Sequence, residues 1–506
     1  MSEQTDRRPS LRRSLASGLM LNVFVNLLLY LGHLIIARRL PREDYAVFTV
    51  VVSFVSLMAL FADLGLTLLF VRKFAEAEAL AAEGKKDTRG ELLGSMLALR
   101  FVMAIVVSLV VMLITPLLGY DIATRHLMMI MLITLFISSR LLVLRSVGEA
   151  FLRGHNKYHF VALFAAIDAL VFAGVLYFYA GKILDLEGAI WIYSLCHLPG
   201  FILLFGLIYR DARSIGFHLR FRLDAIRSMI REGLPLILST AFLTIHSQAD
   251  PLLIDKLSSA KEVSAFGAGL RILSALIFLP AVFSAVIGPP VTQASVTKDF
   301  ERIRPTVDRS LRLLLLGALF IAITLSISSA NVLNILFGSD KYSDAAPLAM
   351  VFGWTFIPIC FASFAIDIAI AEGRFWISAL YTSCIMVISI GCDLILIPLY
   401  GALGAGIAKC TAVTIGSIIL IYISPKLYVL IRKKILLLFL KLSFVAILSI
   451  GLFYALSALQ ISSMLKLIIV MTAFFLSSIG LVKIVSFAEI TAFASGIFVR
   501  TNPKEI

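Results

Sequence analysis

Six cations interrupt the long apolar stretches of this 506-residue chain: Arg100, Arg140, Arg145, Arg271, Lys409 and Lys483. A charged side chain deep in a bilayer costs at least a few kcal/mol, so such residues usually face a bundle interior or an aqueous cavity. Arginine in that setting grips phosphate or carboxylate through a planar fork without risk of deprotonation. A low local dielectric strengthens the attraction well beyond its value in water. Arg140 lies near the middle of its stretch, Arg100 and Arg145 lie nearer the inner side, and Arg271 and Lys409 lie about a third in from the outer side. These residues come from both halves of the chain, as a shared cationic, anion-binding cavity requires. Arg100 and Arg145 also have the simpler reading of snorkelling toward inner headgroups.

Acidic residues form a second class. Asp168 is expected to neutralise Arg140 on the neighbouring helix. Asp250 precedes Pro251, which removes a backbone donor and loosens the helix. With His246 one turn earlier, it is a candidate site for a coupling proton or sodium ion. Asp63, Asp367 and Asp393 fall toward the ends of their stretches and read as local caps or solvated groups. The sequence holds no nucleophile elbow, no GxxxxGK[ST] phosphate loop and no HExxH pair, so neither an enzyme site nor a cofactor is expected. Without a nucleotide-binding loop, energy must come from an ion gradient, the membrane potential or consumption of product. The five cysteines lack the paired spacing of zinc ligands and read as small packing residues.

The elements that position these residues follow from composition. The chain is 60% hydrophobic and 15% charged, with a mean hydropathy of +0.99. Soluble domains average about 45–50% apolar and about 25% charged. Crossing a bilayer takes about 20 mostly apolar residues. About fourteen such segments occur, from Ser17–Ala37 to Leu467–Phe487, with the fourth at Leu127–Phe151. They are expected to be helices, because spanning backbone must satisfy its own hydrogen bonds. The fold class is therefore an all-α polytopic membrane protein. Of the 45 Lys and Arg residues, 30 fall in alternate gaps that start from the amino terminus, 9 in the other gaps and 6 within spans. This bias predicts both termini on the cytoplasmic side. It also accounts for most of the net charge of +14 without invoking nucleic acid.

The segment 210–232 divides the chain. Its apolar residues alternate with six arginines, so it reads as a cytoplasmic linker, either purely topogenic or an interfacial amphipathic helix. Three motif pairs then recur in order at nearly one offset. Leu40 and Leu257 lie 217 apart, Gly154 and Gly373 lie 219 apart, and Gly188 and Gly404 lie 216 apart. The expected organisation is a six-helix bundle over 1–209, the linker, a second six-helix bundle over 233–425, and two further helices with a cytoplasmic tail over 426–506. An even number of spans per half makes these parallel repeats, related by a pseudo-twofold axis along the membrane normal.

The pieces LPREDYAVFTVVVSF, FADLGLTLLFVRKFAE, ILFGSDKYSDAAPLAMVFGW and especially LIPLYGALGAGIAK resemble the polysaccharide-export (Wzx-like) family. That family belongs to the multidrug/oligosaccharidyl-lipid/polysaccharide flippase superfamily. The resemblance covers essentially the whole chain and implies fourteen helices arranged as six, six and two. It implies a flippase that moves undecaprenyl-pyrophosphate-linked oligosaccharide, such as an O-antigen, capsule or exopolysaccharide unit, across the bacterial cytoplasmic membrane by alternating access. It also implies cationic residues on the eighth and twelfth helices, which match Arg271 and Lys409. Partners under this reading are the lipid-linked glycan, the bilayer, a coupling proton or sodium ion, and a polysaccharide polymerase or assembly machinery. A lipid II flippase and a cation-coupled multidrug exporter are the alternatives within the superfamily. A non-transporting scaffold for a glycan synthase is the alternative outside it.

Overall fold

The computed structural model describes residues 11–63, 66–84, 87–138, 141, 143–154, 157–179, 184–215, 221–297, 300–338, 340–423, 425–457, 463–481 and 484. Among these every regular element is helical. The helices are α1 (Leu11–Arg39), α2 (Arg42–Asp63), α3 (Thr67–Ala82), α4 (Arg89–Leu117), α5 (Ile122–Met131), α6 (Thr134–Ile137), α7 (Leu144–Gly154), α8 (Tyr158–Tyr179) and α9 (Leu186–Leu195). They continue with α10 (Leu198–Ile215), α11 (Leu223–Leu257), α12 (Ala260–Leu276), α13 (Phe278–Thr297), α14 (Phe300–Phe337), α15 (Ala346–Ala371), α16 (Phe375–Ile423), α17 (Pro425–Ser457) and α18 (Ser463–Leu476).

Ten stretches among the described residues are long and apolar enough to cross a membrane, and two shorter apolar helices cover Ile122–Ile137 and Leu465–Gly480. The 49-residue α16 bends at Gly401, where the eleventh and twelfth expected segments meet. With that helix read as two crossings, and with α1 and the two shorter helices added, the expected segments are accounted for. Large apolar side chains such as Leu113, Phe178 and Ile447 stand outward and exposed, as lipid-facing positions require. The protein is a multi-pass, all-α membrane protein.

Two departures from the expected segments matter for the site. The second segment stops at Asp63, and a new helix starts at Thr67. The fourth is not one helix: α5 and α6 end at Ser138, whose backbone is extended, and α7 begins at Leu144. The physical reason lies in α7. Arg145, Glu149 and Arg153 recur every four residues and so form one charged stripe. A continuous helix has one fixed register, whereas a break lets this stripe turn inward independently of α5.

The chain forms two compact units. The first comprises residues 1–271 with 390–405, and the second comprises 272–389 with 406–506. In the first unit, α2 is enclosed by α11, α4, α5 and α9, and Tyr45, Phe48, Val51 and Val55 are buried along it. A core of Leu66, Phe70, Phe74, Met96, Phe151 and Met229 joins the ends of α3, α4, α7 and α11. Residues 223–232, expected to belong to the linker, form the first turns of α11. They are tied down by Arg222–Glu91 at 3.0 Å and Lys73–Glu232 at 2.8 Å. In the second unit α14 lies along α15, with α13 against both and α17 against α14.

Outside the spans, Asp121 caps α5 by accepting from the backbone N–H groups of Ala123 and Thr124. Bonds from Thr124 hold its carboxyl below the usual range. Beside it, burial pushes the Tyr120 hydroxyl up to about 12, and the Lys256 ammonium sits 3.9 Å from that ring's centroid.

Candidate functional site

Most intramembrane charges of the first unit are committed to one another. Arg100 on α4 is buried and reaches the frayed end of α2. Its Nη2 lies 2.7 Å from Asp63 Oδ1, and its Nη1 donates to the Ala62 carbonyl at 2.8 Å. Nη2 also approaches the Thr67 hydroxyl at 3.3 Å. The guanidinium thus satisfies a carbonyl that the broken helix leaves open, and it neutralises the adjacent carboxylate.

A second cluster joins α7, α8 and α10. Arg145 has no exposed surface. It forms an ion pair with Asp168, donates to Glu149 Oε1 at 3.1 Å, and donates to the His197 carbonyl at 3.1 Å. Arg153 contacts the other Glu149 oxygen at 3.5 Å. Asp168 also accepts the backbone N–H of Gly200 at 2.8 Å, and His197 Nδ1 stands 3.6 Å from it. Gly200 is required there, because a Cβ would fall within 2.8 Å of all three atoms of the Asp168 carboxyl group. Asp168 therefore answers Arg145. Arg140 itself lies outside the described residues. Arg100 and Arg145, expected as cavity cations, are enclosed in these clusters, because burial without a partner costs more than a helix can absorb.

Arg271 is placed differently. It sits on α12, half-buried, with Nε 3.5 Å from the Tyr45 hydroxyl. Among the described residues no carboxylate pairs with it. It borders a chamber of about 320 Å³ within the first unit. The Asp63 side of the Arg100 pair and Tyr193 of α9 also border this chamber. Tyr193 is fixed by ring contacts with Phe48 at 5.7 Å and Phe172 at 5.9 Å.

The rest of the polar wall is Ser56 of α2 and four groups of α11: Thr240, Thr244, Ser247 and Gln248. The sequence reading missed these four. Their spacing of i, i+4, i+7 and i+8 puts them on one helix face, and a polar stripe in an otherwise apolar span was the available signal. His246 and Asp250, also on α11, are buried on a different face and do not border the chamber. Lys409 belongs to the second unit and is buried, 4% exposed. Asp367 in that unit accepts from the Ser284 hydroxyl.

The chamber wall combines two chemistries. One cation with free fork geometry faces an acidic group already neutralised and a row of neutral hydrogen-bonding groups. It can take an anion beside a hydroxyl-rich group.

Comparison with known proteins agrees with this architecture. The family model described as polysaccharide biosynthesis protein matches residues 11–295, more than half of the chain. The MatE model matches residues 235–399. No curated relative matches the chain. Among solved structures, the lipid II flippase MurJ in an inward closed conformation aligns with a TM-score of 0.71 at 14% identity, covering 95% of this chain and 99% of that one. An inward-facing multidrug resistance transporter of the MATE family and MOP superfamily aligns with a TM-score of 0.63 at 14% identity, covering 81% and 96%. A mutant form of the Vibrio cholerae MATE transporter VcmN gives 0.54 at 14%, covering 83% and 99%. The structural likenesses carry the fold, and the sequence match over residues 11–295 carries the family. The chain belongs to the polysaccharide biosynthesis protein family.

Proposed function

We propose that this protein flips undecaprenyl-pyrophosphate-linked oligosaccharide from the inner to the outer leaflet of the bacterial cytoplasmic membrane by alternating access. The observation that carries the reading is Arg271. It is the chamber cation with no carboxylate partner among the described residues, held beside Tyr45 at the wall of a 320 Å³ space. A lipid-linked sugar diphosphate must bring an anionic headgroup out of water while its polyprenyl tail stays in lipid. A guanidinium in a low-dielectric chamber lowers the cost of that step. Lys409, within the second unit, is a further candidate cation for the transport cycle. The energy source is a proton or sodium gradient, with Asp250 and His246 as the candidate coupling groups. Both termini lie in the cytoplasm, and a polysaccharide polymerase consumes the flipped product.

The test is transport of defined lipid-linked glycans by the purified protein in proteoliposomes with imposed proton or sodium gradients. Arg271→Ala abolishes transport at normal protein abundance. Arg271→Lys retains part of it, because a point charge replaces a planar fork. Full transport by the Arg271→Ala/Lys409→Ala double variant overturns the electrostatic mechanism. Transport of lipid II alone would assign the cargo to peptidoglycan synthesis instead.

A further inference from the structure

The hydroxyls of the α11 stripe have a definite polarity. Thr244 Oγ1 donates to the Thr240 carbonyl at 2.8 Å, and Ser247 Oγ donates to the Thr244 carbonyl at 3.0 Å. A hydroxyl has one proton and two lone pairs. With the protons committed to helix carbonyls, Thr244 and Ser247 have only lone pairs left to offer the chamber. The Gln248 amide nitrogen points to Ser247 Oγ at 3.5 Å, so Gln248 offers its carbonyl oxygen and one remaining N–H. Asp63, bound by Arg100, adds carboxylate oxygens to the same space. From Thr240 to Gln248 the row runs about 12 Å along the helix.

An acceptor row discriminates. Phosphate and carboxylate oxygens are themselves acceptors and are opposed by it, whereas a sugar O–H or an acetamido N–H donates into it; a uronate brings the same ring hydroxyls but adds a carboxylate that the row opposes. Arg271 has the opposite character, with donors only and no acceptor. The two kinds of lining group therefore sort the two chemistries of a sugar diphosphate.

We infer that the α11 face of Thr244, Ser247 and Gln248 is the specificity surface of this flippase, selecting a neutral, hydroxyl-bearing sugar over an acidic one while Arg271 takes the diphosphate. This rests on the flippase reading above and extends it from headgroup charge to glycan class. It also explains why Thr244 and Ser247 occupy a lipid-spanning helix in register with Gln248, a stripe that bundle packing alone does not require.

The test measures equilibrium binding of four probes to the full chain in nanodiscs: undecaprenyl diphosphate, and the same lipid carrying glucose, N-acetylglucosamine or glucuronate. The wild type binds at least one neutral-sugar lipid about threefold to tenfold more tightly than the sugar-free lipid, the gain expected of one net hydrogen bond or more. It binds the glucuronyl lipid less tightly than the glucosyl one. Thr244→Val with Ser247→Ala loses the neutral-sugar gain and keeps the affinity for undecaprenyl diphosphate. Thr244→Ser, which restores the hydroxyl, keeps the gain and controls for folding. Arg271→Ala weakens all four probes by a similar factor.

A wild type without sugar preference, in a protein whose binding still depends on Arg271, overturns the specificity surface and leaves the flippase reading standing. So does a Thr244→Val/Ser247→Ala variant that keeps the preference. A well-folded wild type that binds none of the four probes overturns both.

Discussion

A guanidinium with no exposed surface must be answered by the groups packed against it, and Arg145 is answered by Asp168, Glu149 and the His197 carbonyl. Removing one partner from a buried pair leaves an uncompensated charge, which costs about 3–5 kcal/mol. Asp168→Asn should fall near the lower end, because Glu149 remains in contact. The expected result is a lower thermal unfolding midpoint for the purified protein, with partial recovery in the Arg145→Met/Asp168→Leu double variant. An unchanged midpoint for Asp168→Asn would show that the cluster does not hold α7 to α8. Sequence alone made it plain that Asp168 needs a cation at its depth. It named Arg140, five residues from Arg145, and could not foresee that the helix relating them breaks at Ser138. The same break hid the fate of Arg145 as a structural group.

At the scale of elements, apolar length made the helices legible, because it is the property that lipid selects. Their interruptions were less legible, since each depends on a partner from another helix. The end of α2 at Asp63 makes sense only once Arg100 is seen holding the Ala62 carbonyl. The bend in α16 was partly readable, since glycine-rich PLYGALGAG marks it. Gly401 has φ +56° and ψ −132°, a region that other residues enter at a cost of order 1–3 kcal/mol. Glu262, on α12, packs against Gly401 and accepts the Ala402 backbone N–H at 2.8 Å. A methyl at position 401 would meet that carboxylate, so Gly401→Ala carries both the backbone cost and the loss of this bond. The expectation is a thermal midpoint lower than that of Glu262→Ala, which loses only the bond. Equal midpoints would mean that the backbone at 401 relaxes freely. The α11 stripe was the opposite case, fully present in the sequence yet unread, because threonine and serine barely disturb an apolar average.

For the whole molecule, the distribution of charge bears on orientation where helix geometry is silent. Thirty basic residues fall in one set of alternate segments and nine in the other, and translocation of basic segments is what membrane insertion resists. Glu83 follows α3 in a basic connection, and Ser343 lies between α14 and α15 in a sparse one; both are exposed. In a background with the five native cysteines replaced, Ser343→Cys should react with an impermeant thiol reagent in intact cells. Glu83→Cys should react only after the membrane is opened. Reaction of Glu83→Cys but not Ser343→Cys in intact cells would invert the topology.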